Sequence, residues 1–269
     1  MLEPLYNLMD LFLRVPWLEP EFMKRAFLSL LFIAPACGAM GALVVNFRMA
    51  FFSDAVSHSA FTGVALGVLF DVSPMITLIL LGVLVGFGVT RFKERSELPT
   101  DTVIGVFFSL GVALGIVIIS ARRTLSRTLD AFLYGNVLAV TDGEVVLMFA
   151  LLMAVILFLA FGYNRLVLIG INDALARTGG VRLRLHNYAF AAMLALVVTV
   201  AIRVVGILLV TAMLIIPGAC ARNLARSAGG MFWYAVAVGL ISSVLGLVLS
   251  FEFNTATGAM VILICGGLF

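Results

Sequence analysis

GEVVLMFALLMAVILFLAFGY, Gly143–Tyr163, carries one charged side chain, Glu144, in 21 residues. A hydrocarbon core of about 30 Å needs roughly 20 apolar residues per helical crossing, so this stretch reads as a transmembrane helix. Comparable runs lie at 24–45, 52–70, 74–90, 102–120, 187–202, 205–221, 231–250 and 255–269. The runs at 187–202 and 205–221 are divided by Arg203 and Gly206; if Arg203 only lines the bundle, they fuse and nine crossings become eight. Composition agrees: 63% of the 269 residues are hydrophobic and 12% charged, with a mean hydropathy of +1.20. The expectation is an all-α, polytopic transmembrane bundle of eight or nine helices, with no room for a soluble domain.

The first 23 residues hold Glu3, Asp10, Glu19 and Glu21 and no basic head before an apolar run, unlike a signal peptide. Leu5, Leu8, Met9 and Phe12 recur at helical spacing, and Trp17 precedes Pro20. A short interfacial helix ending at the proline is expected, ahead of a membrane domain over 24–269. Ten of the seventeen basic residues fall in one set of loops: Arg48, Arg91, Lys93, Arg95, Arg165, Arg177, Arg182, Arg184, Arg222 and Arg226. By the positive-inside rule those loops face the cytoplasm and the N-terminal segment lies outside. The net charge of +3 thus reflects orientation, not nucleic-acid binding.

Several runs are short and rich in glycine, as in bundles whose helices line a cavity. GVALG occurs at Gly63–Gly67 and Gly111–Gly115, each a small-xxx-small pair that permits close helix approach. Between the fourth and fifth runs, residues 121–144 form an external segment with an apolar patch at Ala131–Leu138, expected to dip into the bundle mouth or to meet an external partner. Cys37, Cys220 and Cys265 are widely spaced in apolar segments and read as buried small hydrophobes.

FFSDAVSHSAFTGVALG, Phe51–Gly67, is where chemistry enters. On a helix Asp54 and His58 share a face, with Ser57 and Thr62 adjoining; Ser59, Gly63 and Gly67 form a second stripe. An ionisable residue at the centre of a span costs on the order of 3 kcal/mol, so such residues pair or line a pathway. Carboxylate and imidazole suit zinc, manganese or iron, and two ligands hold an ion only transiently. Equally open from spacing alone is a structural role, in which the two pair with each other or Ser53 and Asp54 cap the helix. His186, at the start of the sixth run, reads as an interface residue.

No P-loop, HExxH or GxSxG is present, and Lys24 and Lys93 are the only lysines, so catalysis within the chain is not expected. In NRLVLIGINDALARTGGVRLRLHN, Asn164–Asn187, Asn172 or Asp173 can cap a short helix through Arg177 that Gly179 and Gly180 end. That element is either a connector on the headgroups or the piece a motor subunit grips. Pro217 falls inside an apolar helix, with Arg222 and Arg226 just beyond, so a kink is expected there.

FRMAFFSDAVSHSAFTGVALG resembles the early signature of the metal-ion permease family of ABC importers. DTVIGVFFSLGVALG (Asp101–Gly115), FLYGNVLAVT (Phe132–Thr141), NDALARTGGVRLR (Asn172–Arg184) and VGILLVTAMLIIPGACARNLAR (Val205–Arg226) match in the same order. The resemblance implies a type II importer permease: a homodimer in a prokaryotic plasma membrane, with two ATPase subunits that bind ATP and magnesium and an extracytoplasmic metal-binding protein. It also implies that Asp54 and His58 belong to the metal pathway, beside Ser57. Residues 172–180, with Asp173, Ala174, Ala176, Arg177 and Gly179, become the coupling helix. Ser53 stands where family members commonly have glycine, and the histidine-rich loop of many zinc members is absent.

The expected function is a permease subunit that carries a divalent transition metal, zinc or manganese with a slight tip to zinc, into the cytoplasm. Its rivals are a secondary carrier in which Asp54 and His58 relay protons, and a non-transporting membrane scaffold.

Overall fold

The computed structural model describes residues 3, 6, 9, 10, 15–121 and 137–269. After a 3-10 turn at Pro16–Leu18 come α1 (Glu21–Asn46), α2 (Phe52–Leu69), α3 (Pro74–Arg95) and α4 (Thr100–Ala121). A turn at Val137–Ala139 leads to α5 (Asp142–Ile171), α6 (Asp173–Thr178), α7 (Leu183–Val205), α8 (Ile207–Leu224), α9 (Ala228–Phe253) and α10 (Thr257–Gly267). Of the external segment expected to dip into the mouth, residues 122–136 lie outside the described residues, as do Leu5, Leu8 and Phe12.

Each of the nine apolar runs corresponds to one of these helices, and α6 is the addition. Seven of them, all but α2, α6 and α10, are long and apolar enough to cross a membrane. The 18 residues of α2 include the polar stripe. With 11 residues, α10 rises about 16 Å and reaches only half-way through a hydrocarbon core.

Gly206 divides α7 from α8. Its φ of 81° and ψ of 166° are open to glycine and strained for other residues, so the helix stops there. Arg203, just before the break, leaves the interior to form an ion pair with Glu144, which also closes the capping box of α5 with Thr141. Pro217 lies within a single continuous α8.

The hub is α1, which packs on α5, α8 and α9. Its backbone comes close to α8 because Gly218 lies against the Gly41 carbonyl, where a methyl would meet the oxygen at 2.6 Å. Dispersion between close backbones holds helices together where water supplies no hydrophobic drive. The side chains of Leu80, Leu84, Leu110, Ile156 and Phe161 on α3, α4 and α5 form an exposed apolar belt. Cys37, Cys220 and Cys265 are free and buried.

Charge separates the two ends of the bundle. At one end Arg25 Nε meets Asp142 Oδ1 at 2.8 Å, Lys24 Nζ meets Asp10 Oδ2 at 2.7 Å, and the Tyr6 hydroxyl donates to Asp142 at 2.9 Å. The described N-terminal residues are helical, and Tyr6 and Met9 are buried, so this segment packs on the bundle. At the basic end lie Arg48, Lys93, α6, Arg184 and Arg222.

Candidate functional site

Four neighbours give α2 four distinct faces. Gly63 lies on the backbone of Thr77 and Leu78, and Gly67 on Pro74, which seats α2 on α3. Toward α4, the Thr62 hydroxyl donates to Gly111 O at 2.7 Å, while Gly111 and Gly115 lie against Ser59 and Thr62. Both GVALG strings are therefore packing surfaces, one for α3 and one for α2. Phe52 and Val56 lean on Gly86 and Gly82 of α3, beside Ala191 and Thr199 of α7.

Asp54 and His58 occupy the remaining direction, between α4 and α8, and both are half-buried. Phe108 of α4 packs edge-on against the His58 ring, with centroids 4.9 Å apart and planes at 75°. Thr211 of α8 stands beside Asp54. Ser57 is fully buried, and its Oγ has no partner among the described residues. Thr62, one turn beyond His58, also faces α4, and its hydroxyl is committed to Gly111 O. The stripe of Ser59, Gly63 and Gly67 straddles the seam between α4, which meets Ser59, and α3, which meets the two glycines.

Neither structural alternative describes the pair. Phe51 holds the cap position of α2 with no side-chain cap bond, and the Ser53 hydroxyl turns back to Ala50 O at 3.3 Å. Asp54 and His58 feel each other's charge, but no ion pair joins them among the described contacts. Nor does any third His, Cys, Asp or Glu complete a metal-binding group with them among the described residues.

Depth follows from the packing register. Phe52 opposes Gly86, Val56 opposes Gly82, and Gly63 opposes Leu78, so Asp54 is level with the region of Gly86. Gly86 is nine residues from the Arg95 end of α3, about 14 Å at 1.5 Å per residue. The start of α2 is thus recessed, and Asp54 and His58 sit near the middle of the bundle's height. A carboxylate in the first turn also lies at the positive end of the α2 dipole.

At the basic end Asn172 rather than Asp173 caps α6, its Oδ1 accepting from Ala174 N at 2.9 Å and Leu175 N at 3.1 Å. The helix ends in a Schellman motif, with Val181 N donating to Ala176 O and Gly180 N to Arg177 O. That motif demands a left-handed residue, and Gly180 has φ 75°. Gly179 is the C-cap. Asp173, Ala174 and Arg177 are exposed, whereas Ala176 is buried against the bundle. Leu175, not singled out from sequence, is 55% exposed and is the apolar side chain that α6 presents outward. His186 lies far from Asp54, its Nδ1 2.9 Å from Arg182 O.

The model of the ABC 3 transport family matches residues 19–269. The chain belongs to this family. It is 32% identical over 243 residues to the manganese import system permease protein ScaB of Streptococcus parasanguinis, covering 90% of this chain and 86% of that one. The high-affinity zinc uptake system membrane protein ZnuB of Haemophilus influenzae is 28% identical over 249 residues, covering 93% and 95%. Among solved structures, that of PsaBC from Streptococcus pneumoniae in complex with Fab superposes with a TM-score of 0.81 at 28% identity, over 100% of this chain and 94% of that one. The chain is a multi-pass membrane protein of the ABC-importer permease class, as its motifs implied.

Phe108 and Thr211 gave little signal in sequence. Each belongs to an apolar run, and only the meeting of three helices brings them to Asp54 and His58.

Proposed function

We propose that this chain is the permease of an ABC importer that moves a divalent transition-metal cation into the cytoplasm along a path lined by Asp54, Ser57 and His58. The observation that carries this reading is the direction of the pair: two ionisable side chains at mid-height, half-buried, point out of the bundle between α4 and α8. Facing lipid there, each would cost on the order of 3 kcal/mol. A second copy related by a two-fold axis would cover that face and bring its own aspartate and histidine. Together the two copies would offer two carboxylates and two imidazoles, a donor set suited to manganese or zinc.

The basic end is the cytoplasmic one, and there α6 is the coupling helix for two ATPase subunits that hydrolyse ATP with magnesium. Leu175 is its apolar contact, and Ala176 seats it on the permease. The opposite end receives the cation from an extracytoplasmic metal-binding protein. Relatives named for manganese and for zinc support the class of metal equally, so the slight tip to zinc gains no support from them. No catalytic group is assigned to this chain.

Metal-dependent growth and cell-associated metal in a deletion strain test this reading. Complementation with the wild-type chain should restore both, and Asp54→Ala or His58→Ala should restore neither. Full uptake with both variants would refute the pathway role. Leu175→Asp should abolish copurification of an ATPase while leaving the permease folded, and undiminished copurification would refute the coupling role.

A further inference from the structure

Behind α6 the basic end holds a half-open cavity of about 610 Å³, bordered by the loop after α1, the last turns of α3 and the start of α7. Lys93 enters it from α3, half-buried, its Nζ 6.0 Å from the centre of the Phe47 ring. Phe47 in turn stacks on Phe190 of α7 at 4.7 Å, so the lysine stem leans on a braced wall. Asp173, the first residue of α6, borders the same space and lies within range of the Lys93 charge. Among the described residues no carboxylate closes on Lys93 as an ion pair, and the neighbouring Glu94 is held by Arg184 at 3.8 Å. Arg177, one turn beyond Asp173, borders the cavity as well and has no ion-pair partner among the described residues.

A half-buried ammonium without a carboxylate contact is poorly compensated. The carboxylate that could compensate it sits on a six-residue helix with open space behind it. Lys93 also stands on a helix that joins this cavity to the metal-lining helix: α3 packs along α2 at Gly63, Gly67, Gly82 and Gly86, and those contacts leave little room for the two helices to slide independently.

We propose that α6 has two positions, and that in the second Asp173 closes across the cavity onto Lys93, passing the stroke of the ATPase to α3 and through it to α2. Lys93 is a positioning residue, since it touches neither the cation nor the nucleotide. Its partner charge converts the movement of a short surface helix into a pull on a long buried one. Discrete, bistable rearrangements of this kind carry small displacements between sites. The inference rests on the transport reading above.

The test uses the permease with its copurifying ATPase in proteoliposomes, with Mn²⁺ and separately Zn²⁺ as the cation, and reads cation moved per ATP hydrolysed. Lys93→Gln should keep bound ATPase and hydrolysis within about twofold of wild type while uptake falls at least tenfold, and Lys93→Arg should recover most of it. In a Lys93→Cys, Asp173→Cys variant, a short bifunctional thiol reagent should cross-link at least fivefold faster in the ATP-bound, vanadate-trapped complex than in the nucleotide-free one. Hydrolysis and uptake falling together in Lys93→Gln, or neither falling, would overturn the proposal, as would equal cross-linking in both states. A wild-type complex that moves neither metal sinks the transport reading instead, while the cross-linking comparison still judges the movement of α6.

Discussion

Replacing Gly63 by alanine puts a methyl between α2 and α3, where it would lie 2.7 Å from Leu78 Cα and 3.0 Å from Thr77 O. Carbon atoms rest at about 3.5–4.0 Å, so the helices must part by roughly 1 Å. Both obstructing groups are backbone, so no rotamer change relieves them. Over-packing of this kind costs about 1–3 kcal/mol, against a helix-propensity gain of about 1 kcal/mol for any glycine-to-alanine change in a helix interior. Gly162→Ala in α5 isolates the clash, because its methyl would meet only Leu166 Cδ1 at an ordinary 3.6 Å. Unfolding of the two variants in detergent should therefore separate them by about 1–3 kcal/mol, Gly63→Ala being the weaker. Uptake should fall with it, since the same helix carries Asp54 and His58. Equal stability of the two variants would refute the close α2–α3 register, and with it the depth assigned to the pair.

Phe108→Ala removes the ring against His58, an edge-on contact worth about 0.5–1.5 kcal/mol; half-maximal uptake should then require several-fold more Mn²⁺ or Zn²⁺, and Phe108→Tyr should behave as wild type. Gly180→Ala forces a Cβ into the left-handed region at the end of α6, at a cost of about 1–2 kcal/mol. Less ATPase should copurify with that variant, while Gly179→Ala, which lies outside that region, should have the smaller effect.

The nine apolar runs carry the helices because a bilayer leaves the backbone no other way to satisfy its hydrogen bonds. The break before α8 was one of two open readings: Gly206 follows Arg203 at the end of a run, but hydropathy alone does not say whether the run continues past them. The height of α2 was not: only the pairing of Gly82 and Gly86 with Val56 and Phe52 sets it, and a one-dimensional hydropathy pattern contains no such register. From the loop charges alone Asp54 belongs at the basic end. The packing raises it about 14 Å, nine residues of α3. Burial within α6 was equally hidden. Ala176 and Leu175 are adjacent, and which of them faces outward depends on how a six-residue helix seats on α5 and α7.

The most direct measurement is the aqueous reactivity of a cysteine at position 58, with Ile156→Cys on the apolar belt for comparison and the three native cysteines replaced. Intact vesicles holding the assembled transporter would be treated with a small hydrophilic thiol reagent. Position 58 should be modified readily, and Mn²⁺ or Zn²⁺ should slow it when Asp54 is present but not in Asp54→Asn, while position 156 stays inert. A cysteine at 58 as unreactive as one at 156 in every nucleotide state would contradict a solvated metal path along this face.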